Sequence, residues 1–81
     1  MSPAEVRRLI EHGLPSAEVQ VTSDDGTHFE ALVVSSKFEG KPPLARHRMV
    51  YATLGERMGR EIHALSLRTL TPDERRRDGT I

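Results

Sequence analysis

The sequence lacks cysteine and tryptophan altogether, and its only phenyl or phenol rings are those of Phe29, Phe38 and Tyr51. Without cysteine, a disulfide framework, a thiol nucleophile and a metal site built on the chain's own thiolates are excluded. No apolar run is longer than that of Ala31–Val34, whereas a membrane-spanning helix needs roughly 20 apolar residues. The first five residues lack the basic and apolar regions of a secretory signal. We therefore expect one cytoplasmic domain over residues 1–81, with no membrane association.

The sequence has no net charge, because 12 basic side chains balance 12 acidic ones. Its pI is accordingly close to neutral, at about 6.9. The charges are segregated along the chain. Residues 1–40 carry three basic and seven acidic side chains, a balance of −4, and residues 41–81 carry nine and five, a balance of +4. A neutral domain has little long-range attraction for nucleic acid, although local basic patches remain available in the second half.

The first half of the sequence predicts a helix followed by a β-hairpin. Ser2–Glu5 combines a capping serine, a proline at the first helical position and a glutamate that completes a capping box. An apolar face at helical spacing follows in Val6, Leu9, Ile10 and Leu14, and Gly13 is a typical helix end. Residues 17–22 alternate like a half-buried strand, Asp24–Gly26 is typical of a turn, and a second strand follows over 27–35.

The second half predicts a loop, a long helix, a third strand and a short final helix. The loop Lys37–Pro43 precedes a helix that is expected to end near Gly59, with an apolar stripe formed by Leu44, His47, Tyr51, Leu54 and Met58. The third strand is predicted over Ile62–Leu67, and Thr71–Glu74 repeats the cap-plus-proline start. Residues 75–81 are expected to form a mobile tail. This order predicts an α+β fold, a two-layer α/β sandwich with a three-stranded sheet.

Five segments in fixed order and spacing give the sequence a specific likeness. They are His28–Ser35, Lys37–Lys41, Arg46–Tyr51, Ile62–Leu67 and Thr71-Pro72. Together they resemble the BolA family over nearly the whole chain, with a closer likeness to short bacterial members whose hairpin contains Gly-Thr/Ser-His-Phe. The resemblance implies a fold akin to the type II KH domain. It also implies one of two roles, either partnership with monothiol glutaredoxins in handling 2Fe–2S clusters or DNA binding in transcriptional control.

Two of the four histidines are candidate metal ligands. The separations of 16, 19 and 16 residues between His12, His28, His47 and His63 match no zinc motif. The resemblance implies that His63, in the motif Ile62–Leu65, ligates the cluster. Its strand parity with Leu65 predicts a place at the rim of the core-facing surface, where the alternative is a packed ring with backbone partners. For His28, a second-ligand role and a solvated strand position are both open, because the turn carries neither the Cys nor the His of many relatives.

Ligand stoichiometry then makes the cluster a property of a complex. A 2Fe–2S cluster usually has four ligands, and imidazole can replace thiolate on iron. This chain offers His63 and one further candidate, so the other ligands are expected from a glutaredoxin cysteine and glutathione. We expect the isolated chain, as a monomer or weak dimer, to hold no cluster. An imidazole-bound cluster should be labile between about pH 7 and 5.5, since the ligand must be deprotonated.

The loop Lys37–Pro43 and the turn Arg46–Arg48 are the predicted docking surface, because exposed loops on rigid scaffolds often carry recognition. The residues predicted to contact a protein or nucleic-acid partner are Lys37, Phe38, Gly40, Lys41, Arg46, His47 and Arg48. His47 lies on the apolar stripe, which favours a packed or helix-surface position. Arg46 and Arg48 project away from that stripe near a helix start, where the helix dipole disfavours cations. That conflict indicates a use in binding an acidic partner, a glutathione carboxylate or phosphate.

DNA binding is the alternative function. Residues 37–58 can be interpreted as a turn feeding a basic-edged helix, with phosphate contacts from Lys37, Lys41, Arg46, Arg48 and Arg57. Against it, the loop has one glycine where KH domains use Gly-x-x-Gly, few aromatic rings are available for base stacking, and the pI is near neutral. Enzymatic activity is not predicted, because the sequence has no phosphate-cradling loop, nucleophile elbow or i, i+4 metal pair.

Overall fold

The secondary-structure elements of residues 1–78, the part of the chain that the computed structural model describes, follow the predicted order. They are α1 (Pro3–Gly13), β1 (Glu18–Thr22), β2 (His28–Val34), α2 (Pro43–Leu54), β3 (Ala64–Leu70) and α3 (Pro72–Asp78). Short 3₁₀ turns over Ser36–Phe38 and Gly55–Arg57 flank α2. No helix among these residues is long and apolar enough to cross a bilayer.

The strand β2 lies at the centre of the three-stranded sheet, antiparallel to β1 and parallel to β3. Because side chains alternate across a strand, Phe29, Ala31 and Val33 face one side and are buried, whereas His28 and Glu30 face the other and are exposed. The helices α1 and α2 contact each other and cover the buried side. The core also includes Val6, Ile10, Leu14, Val19, Val50, Leu54, Ile62 and Leu65. This two-layer arrangement confirms the predicted fold class.

Helix starts and one close helix contact follow from local sequence. The Ser2 hydroxyl accepts the Glu5 backbone N–H at 3.2 Å, and the Glu5 carboxylate accepts the Ser2 N–H at 3.1 Å, so the predicted capping box is confirmed. Gly13 remains helical, and the helix ends at Leu14. A Cβ on Gly13 would lie 2.5 Å from Thr53 Cγ2. The glycine therefore allows α1 to approach α2 closely, which is a different reason from the predicted helix stop.

Two boundaries in the second half differ from the prediction. The helix α2 ends at Leu54 instead of near Gly59, because Gly55 takes a φ of 55° that a continuing helix cannot use. The stripe is shorter as a result, and its predicted member Leu44 is 61% exposed. The strand β3 begins at Ala64, so Ile62 and His63 precede it. Ile62 is nevertheless fully buried, bridging Met58.

The helix α3 extends to Asp78, where the sequence analysis expected a mobile tail from Arg75 onward. A capping box forms at its start, with the Glu74 N–H donating to the Thr71 hydroxyl at 3.2 Å and the Thr71 N–H donating to Glu74 at 2.8 Å. An ion pair between Arg68 of β3 and Asp78 lies at its far end. The structure thus places residues 75–78 of the expected tail in α3, and residues 79–81 lie outside the described part.

Candidate functional site

The parallel pairing of β2 with β3 places the two candidate histidines side by side. His28 is the first residue of β2, and its partner across the sheet is Ala64, so His63 lies directly beside this position. The His63 backbone N–H donates to the Thr27 carbonyl at 2.9 Å, which ties the segment before β3 to the hairpin turn. The imidazole centroids of His28 and His63 are 6.4 Å apart, with their planes inclined by 37°.

Both rings are open to solvent. The His28 side chain is 65% exposed, and His63 is exposed although Leu65, two residues later, is buried. Within residues 1–78, the His63 ring makes no hydrogen bond. The alternative of a packed His63 ring with committed nitrogens is therefore wrong, and so is its expected place at the rim of the core-facing surface, because β3 begins only at Ala64.

Asp25 determines which nitrogen of the His28 ring carries the proton. The His28 Nδ1 lies 2.6 Å from Asp25 Oδ2, while Asp25 Oδ1 accepts the backbone N–H groups of His28 at 2.8 Å and Thr27 at 2.9 Å. The hydrogen bond from the His28 backbone, then that from Thr27 and then the His28 side chain lower the pKa of Asp25 well below its usual range. A proton on Nδ1 donated to this carboxylate leaves the lone pair on Nε2, which is the arrangement found in metal-binding histidines.

The turn that carries Asp25 is held by its own short side chains. The Ser23 hydroxyl donates to the His28 carbonyl at 2.6 Å and accepts the Gly26 N–H at 2.9 Å. Gly26 adopts a φ of 78°, as a tight turn requires. The sequence analysis interpreted Asp25 only as a turn residue and missed its contact with His28. The three-residue separation of Asp25 from His28 was the available signal.

The histidine pair fits part of a metal centre. A metal–nitrogen bond is about 2 Å, which puts the ring centroid roughly 3 Å from the ion. Two centroids 6.4 Å apart therefore lie close to the reach of one ion, and exposed side chains can rotate to close the gap. Within residues 1–78, no group of three or more His, Cys, Asp or Glu side chains is placed to hold a metal. Two imidazoles supply half of the four ligands that a 2Fe–2S cluster usually has.

The predicted docking surface divides into structural and exposed residues. Phe38 is fully buried in the core, so its predicted role as a contact residue is wrong. His47 is half-buried on α2, in keeping with a packed position. The exposed members are Lys37, Gly40, Lys41 and Arg48, and Arg57 beyond α2 is also exposed.

Arg46 is a structural residue, which corrects its prediction as a residue that contacts a partner. Its side chain is only 11% exposed. The guanidinium donates to the Lys41 carbonyl at 2.7 Å, to the Thr69 carbonyl at 3.2 Å and to Glu74 at 2.7 Å. Its Cζ also lies 5.9 Å from the Phe38 ring centroid, within cation–π range. Arg46 thus joins the loop, α2, β3 and α3.

The loop and the histidine pair lie at opposite ends of the central strand. His28 begins β2, whereas the turn Ser36–Phe38 begins two positions after its last residue, Val34. Six residue steps of about 3.3 Å separate the two ends by about 20 Å. The docking surface predicted from sequence is therefore not the surface that surrounds the candidate ligands.

Comparison with known proteins places these features in a family. Residues 10–74 match the family profile of BolA-like proteins. The chain belongs to the BolA family. Human BolA-like protein 1 is 36% identical over 87 residues, a match covering 96% of this chain and 64% of the human protein. The chain thus spans just under two thirds of the length of that BolA relative.

Two further relatives bear on fold and function. A BolA homologue from Coxiella burnetii has a solved structure that is 47% identical, covers 94% of this chain and 97% of its own, and matches with a TM-score of 0.79. The DNA-binding transcriptional regulator BolA of Escherichia coli strain K12 is 43% identical over 54 residues, covering 67% of this chain and 51% of that protein. The first likeness agrees with the helix, strand and sheet order of this BolA-family chain.

Proposed function

We propose that this protein is a non-enzymatic accessory protein of the short bacterial BolA type, which binds a monothiol glutaredoxin with glutathione. In the complex it shares or transfers a 2Fe–2S cluster, with His63 and His28 as its ligands. The observation that carries the proposal is the pair of exposed imidazoles, 6.4 Å apart at one sheet end, with Asp25 directing the His28 lone pair outward. The remaining ligands come from the partner's cysteine and glutathione.

The partner's contact surface includes the segments that flank the two histidines. These are the turn Ser23–Thr27 and the stretch Arg57–Ile62, in which Arg57, Arg60 and Glu61 are exposed. A ligand on the partner must approach within a bond length of a metal that His63 also binds, so the interface surrounds this end of the sheet. The loop Lys37–Pro43, about 20 Å away along β2, is then free for another contact.

The test mixes the purified chain with a cluster-loaded monothiol glutaredoxin and glutathione. Visible absorption and circular dichroism are recorded for the wild type, His63→Ala, His28→Ala and the control Lys37→Ala, whose exposed side chain lies in the loop at the opposite end of β2. We expect the wild type and the control to change the cluster spectrum, His63→Ala to abolish the change and His28→Ala to weaken it. An unchanged spectrum with the wild type, or equal spectra for wild type and His63→Ala, would contradict the proposal.

DNA binding is a second candidate, favoured by the likeness to the Escherichia coli regulator. The exposed cations available for it are Lys37, Lys41, Arg48 and Arg57. Because the side chains of Phe38 and Arg46 are held by contacts within the fold, fewer residues are available to contact DNA than the sequence indicated. The test is the salt dependence of binding to a DNA duplex, which should be steep and should flatten in Lys41→Ala and Arg48→Ala. A DNA affinity that changes neither with salt concentration nor with these substitutions would rule out DNA binding by this surface.

A further inference from the structure

A groove lies at the end of β2 opposite the histidines. It has a volume of about 370 Å³ and lies between α3, the end of β2 and the connection from α1 to β1. Its polar lining consists of Ser16, Glu18, Ser35, Ser36, Arg75 and Arg76. Neither the cluster proposal nor the DNA proposal uses these side chains.

Arg75 is the unusual member of this lining. Its Nε is buried and makes no hydrogen bond with any residue of the described chain, 1–78. No carboxylate in that part of the chain forms an ion pair with its guanidinium. A buried charged donor without an acceptor is costly, and such groups in folded proteins normally have a partner. The Nε is closed to solvent, but the half-buried Arg75 side chain lines the groove, so a rotation of the guanidinium allows Nε to donate to an acceptor from outside the chain.

Ser35 adds a second buried donor to the same groove. The residue is only 5% exposed. Its Oγ accepts the Lys37 backbone N–H at 3.1 Å, and its own hydroxyl proton makes no hydrogen bond among residues 1–78. The neighbouring Ser36 carries an exposed hydroxyl, and Ser16 lines the opposite side. The hydroxyls and the guanidinium thus come from separate elements and surround one space.

The charged residues that line the groove favour the binding of an anion. Arg75 and Arg76 contribute two positive charges, and Glu18 is the one acid in the lining. Arg76 pairs with Asp73, but both side chains are more than 70% exposed, so solvent screens that pair. Guanidinium groups recognise carboxylate and phosphate oxygens through directed hydrogen bonds. Donors arranged around a space suit a tetrahedral oxyanion better than a planar carboxylate, which presents only two oxygens.

We propose that this groove binds the phosphate group of a small phosphate monoester. Arg75 Nε and the Ser35 hydroxyl donate to the phosphate oxygens, and Arg76 supplies a further positive charge. The volume of about 370 Å³ also leaves room for part of the molecule that carries the phosphate. This site is separated from the histidine pair by the length of β2 and is independent of cluster binding.

The experiment is a titration of the ¹⁵N-labelled chain, followed by the NMR signals of arginine Nε–H and backbone amides. The probes are inorganic phosphate and glycerol 3-phosphate, at ionic strength held constant with potassium chloride. We expect saturable shifts of the Arg75 Nε–H and of the Ser35 and Ser36 amides. Arg75→Lys keeps the charge but removes the buried donor, and should weaken binding about tenfold. Glu18→Gln should strengthen it about two- to threefold, because it removes a repelling charge.

Arg60→Lys serves as the matched control, since Arg60 is exposed and lies outside the groove. It should bind as the wild type does, and thermal unfolding of each variant verifies the fold. Shifts that fail to saturate would overturn the proposal, as would equal affinity in wild type and Arg75→Lys. Shifts in the groove with a DNA duplex but with neither small phosphate would also overturn it, and would assign the groove to nucleic acid.

Discussion

The two ends of β2 carry the two stretches that the sequence marked as functional, and they differ in what holds their side chains. At the first end, His28 and His63 are exposed, and among residues 1–78 Asp25 is the only charged side chain that bonds to either ring. At the other end, Phe38 is fully buried and Arg46 is bound by the Lys41 and Thr69 carbonyls and by Glu74. The side chains at the first end are available to a partner, whereas Phe38 and Arg46 at the second end are held by contacts within the fold.

This difference shows that the residue types of a motif do not reveal whether its side chains bind a partner or other parts of the same chain. An arginine near a helix start is unfavourable for the helix dipole, and the sequence analysis took this conflict as an indication of binding. The conflict is real, but it is resolved inside the molecule, because Glu74 of α3 supplies the acidic partner for Arg46. That partner lies 28 positions away in the sequence, beyond any local pattern. Substitutions at each end should therefore separate stability from function.

The largest effect is expected for Phe38→Ala. A fully buried phenylalanine leaves a cavity when truncated, and the free energy of unfolding should fall by about 3–4 kcal/mol. Urea denaturation measures the change, and Phe38→Leu should recover more than half of it. Lys37→Ala, next in sequence but exposed, should change stability by less than about 0.5 kcal/mol. If Phe38→Ala and Lys37→Ala were equally stable, Phe38 would not be a core residue and would again be a candidate contact residue of the docking surface.

Arg46→Ala is expected to have the next largest effect. The substitution removes the cationic partner of the Glu74 carboxylate and the side-chain donor to the Lys41 and Thr69 carbonyls, and should lower the free energy of unfolding by about 2–3 kcal/mol. Arg48→Ala removes the same charge from an exposed position on the same helix and should be nearly neutral. The pair is measured in the same denaturation series. Similar losses of stability in the two variants, or no loss in either, would show that Arg46 is not held by the fold and remains available to a partner, as the sequence analysis expected.

Most of the fold was predictable because it depends on local chemistry. Capping boxes at Ser2 and Thr71, the alternation in β1 and β2 and the turn at Gly26 are all local signals, and each appears in the structure. The wrong boundaries arose where the local signal was ambiguous. The sequence analysis placed the end of α2 near Gly59, although the positive φ of Gly55 ends the helix before that residue. Leu44 fits a helical stripe by spacing, yet the residue is 61% exposed.

The site was predictable only in part. Resemblance to a family pointed to His63, and composition left His28 as its companion. Their proximity depends on the parallel pairing of His28 with Ala64, which joins segments 36 positions apart and has no local signature. Asp25 was overlooked because Asp is common in turns, so its turn role concealed its contact with His28.

Asp25→Asn sharpens the comparison at the histidine end. The amide keeps the size of the side chain but cannot accept the His28 proton as a carboxylate does, so the lone pair of Nε2 is no longer secured. Loss of an outer partner of a metal-bound histidine typically weakens metal affinity about tenfold or more. We expect about tenfold weaker cluster retention by the glutaredoxin complex, measured by the decay of visible circular dichroism with added chelator.

The control for this change is Asp24→Asn, which alters the neighbouring exposed carboxylate in the same turn. It should leave cluster retention unchanged. A readout without any cluster is the ¹⁵N shift pattern of the His28 ring, which should report a proton on Nδ1 in the wild type and a mixture of tautomers in Asp25→Asn. A wild-type ring already divided between tautomers would contradict the positioning role of Asp25, even if His63 binds the cluster.

The smallest effect is a difference in acid stability at the Arg46 end. The hydrogen bond from Arg46, and then that from the Thr71 backbone, lower the pKa of Glu74 from 4.5 to about 2. The folded state thus favours the ionised carboxylate, so its stabilising contribution is complete above about pH 4.5 and is lost as pH falls toward 2. The urea midpoints of wild type and Glu74→Gln should therefore converge over that range, because protonation gives the wild type the same neutral side chain. The contact is partly exposed and screened, so the convergence should be modest. Profiles that stay parallel from pH 5 to 2 would mean that the Glu74 carboxylate contributes no more to this end of the molecule than a neutral amide does.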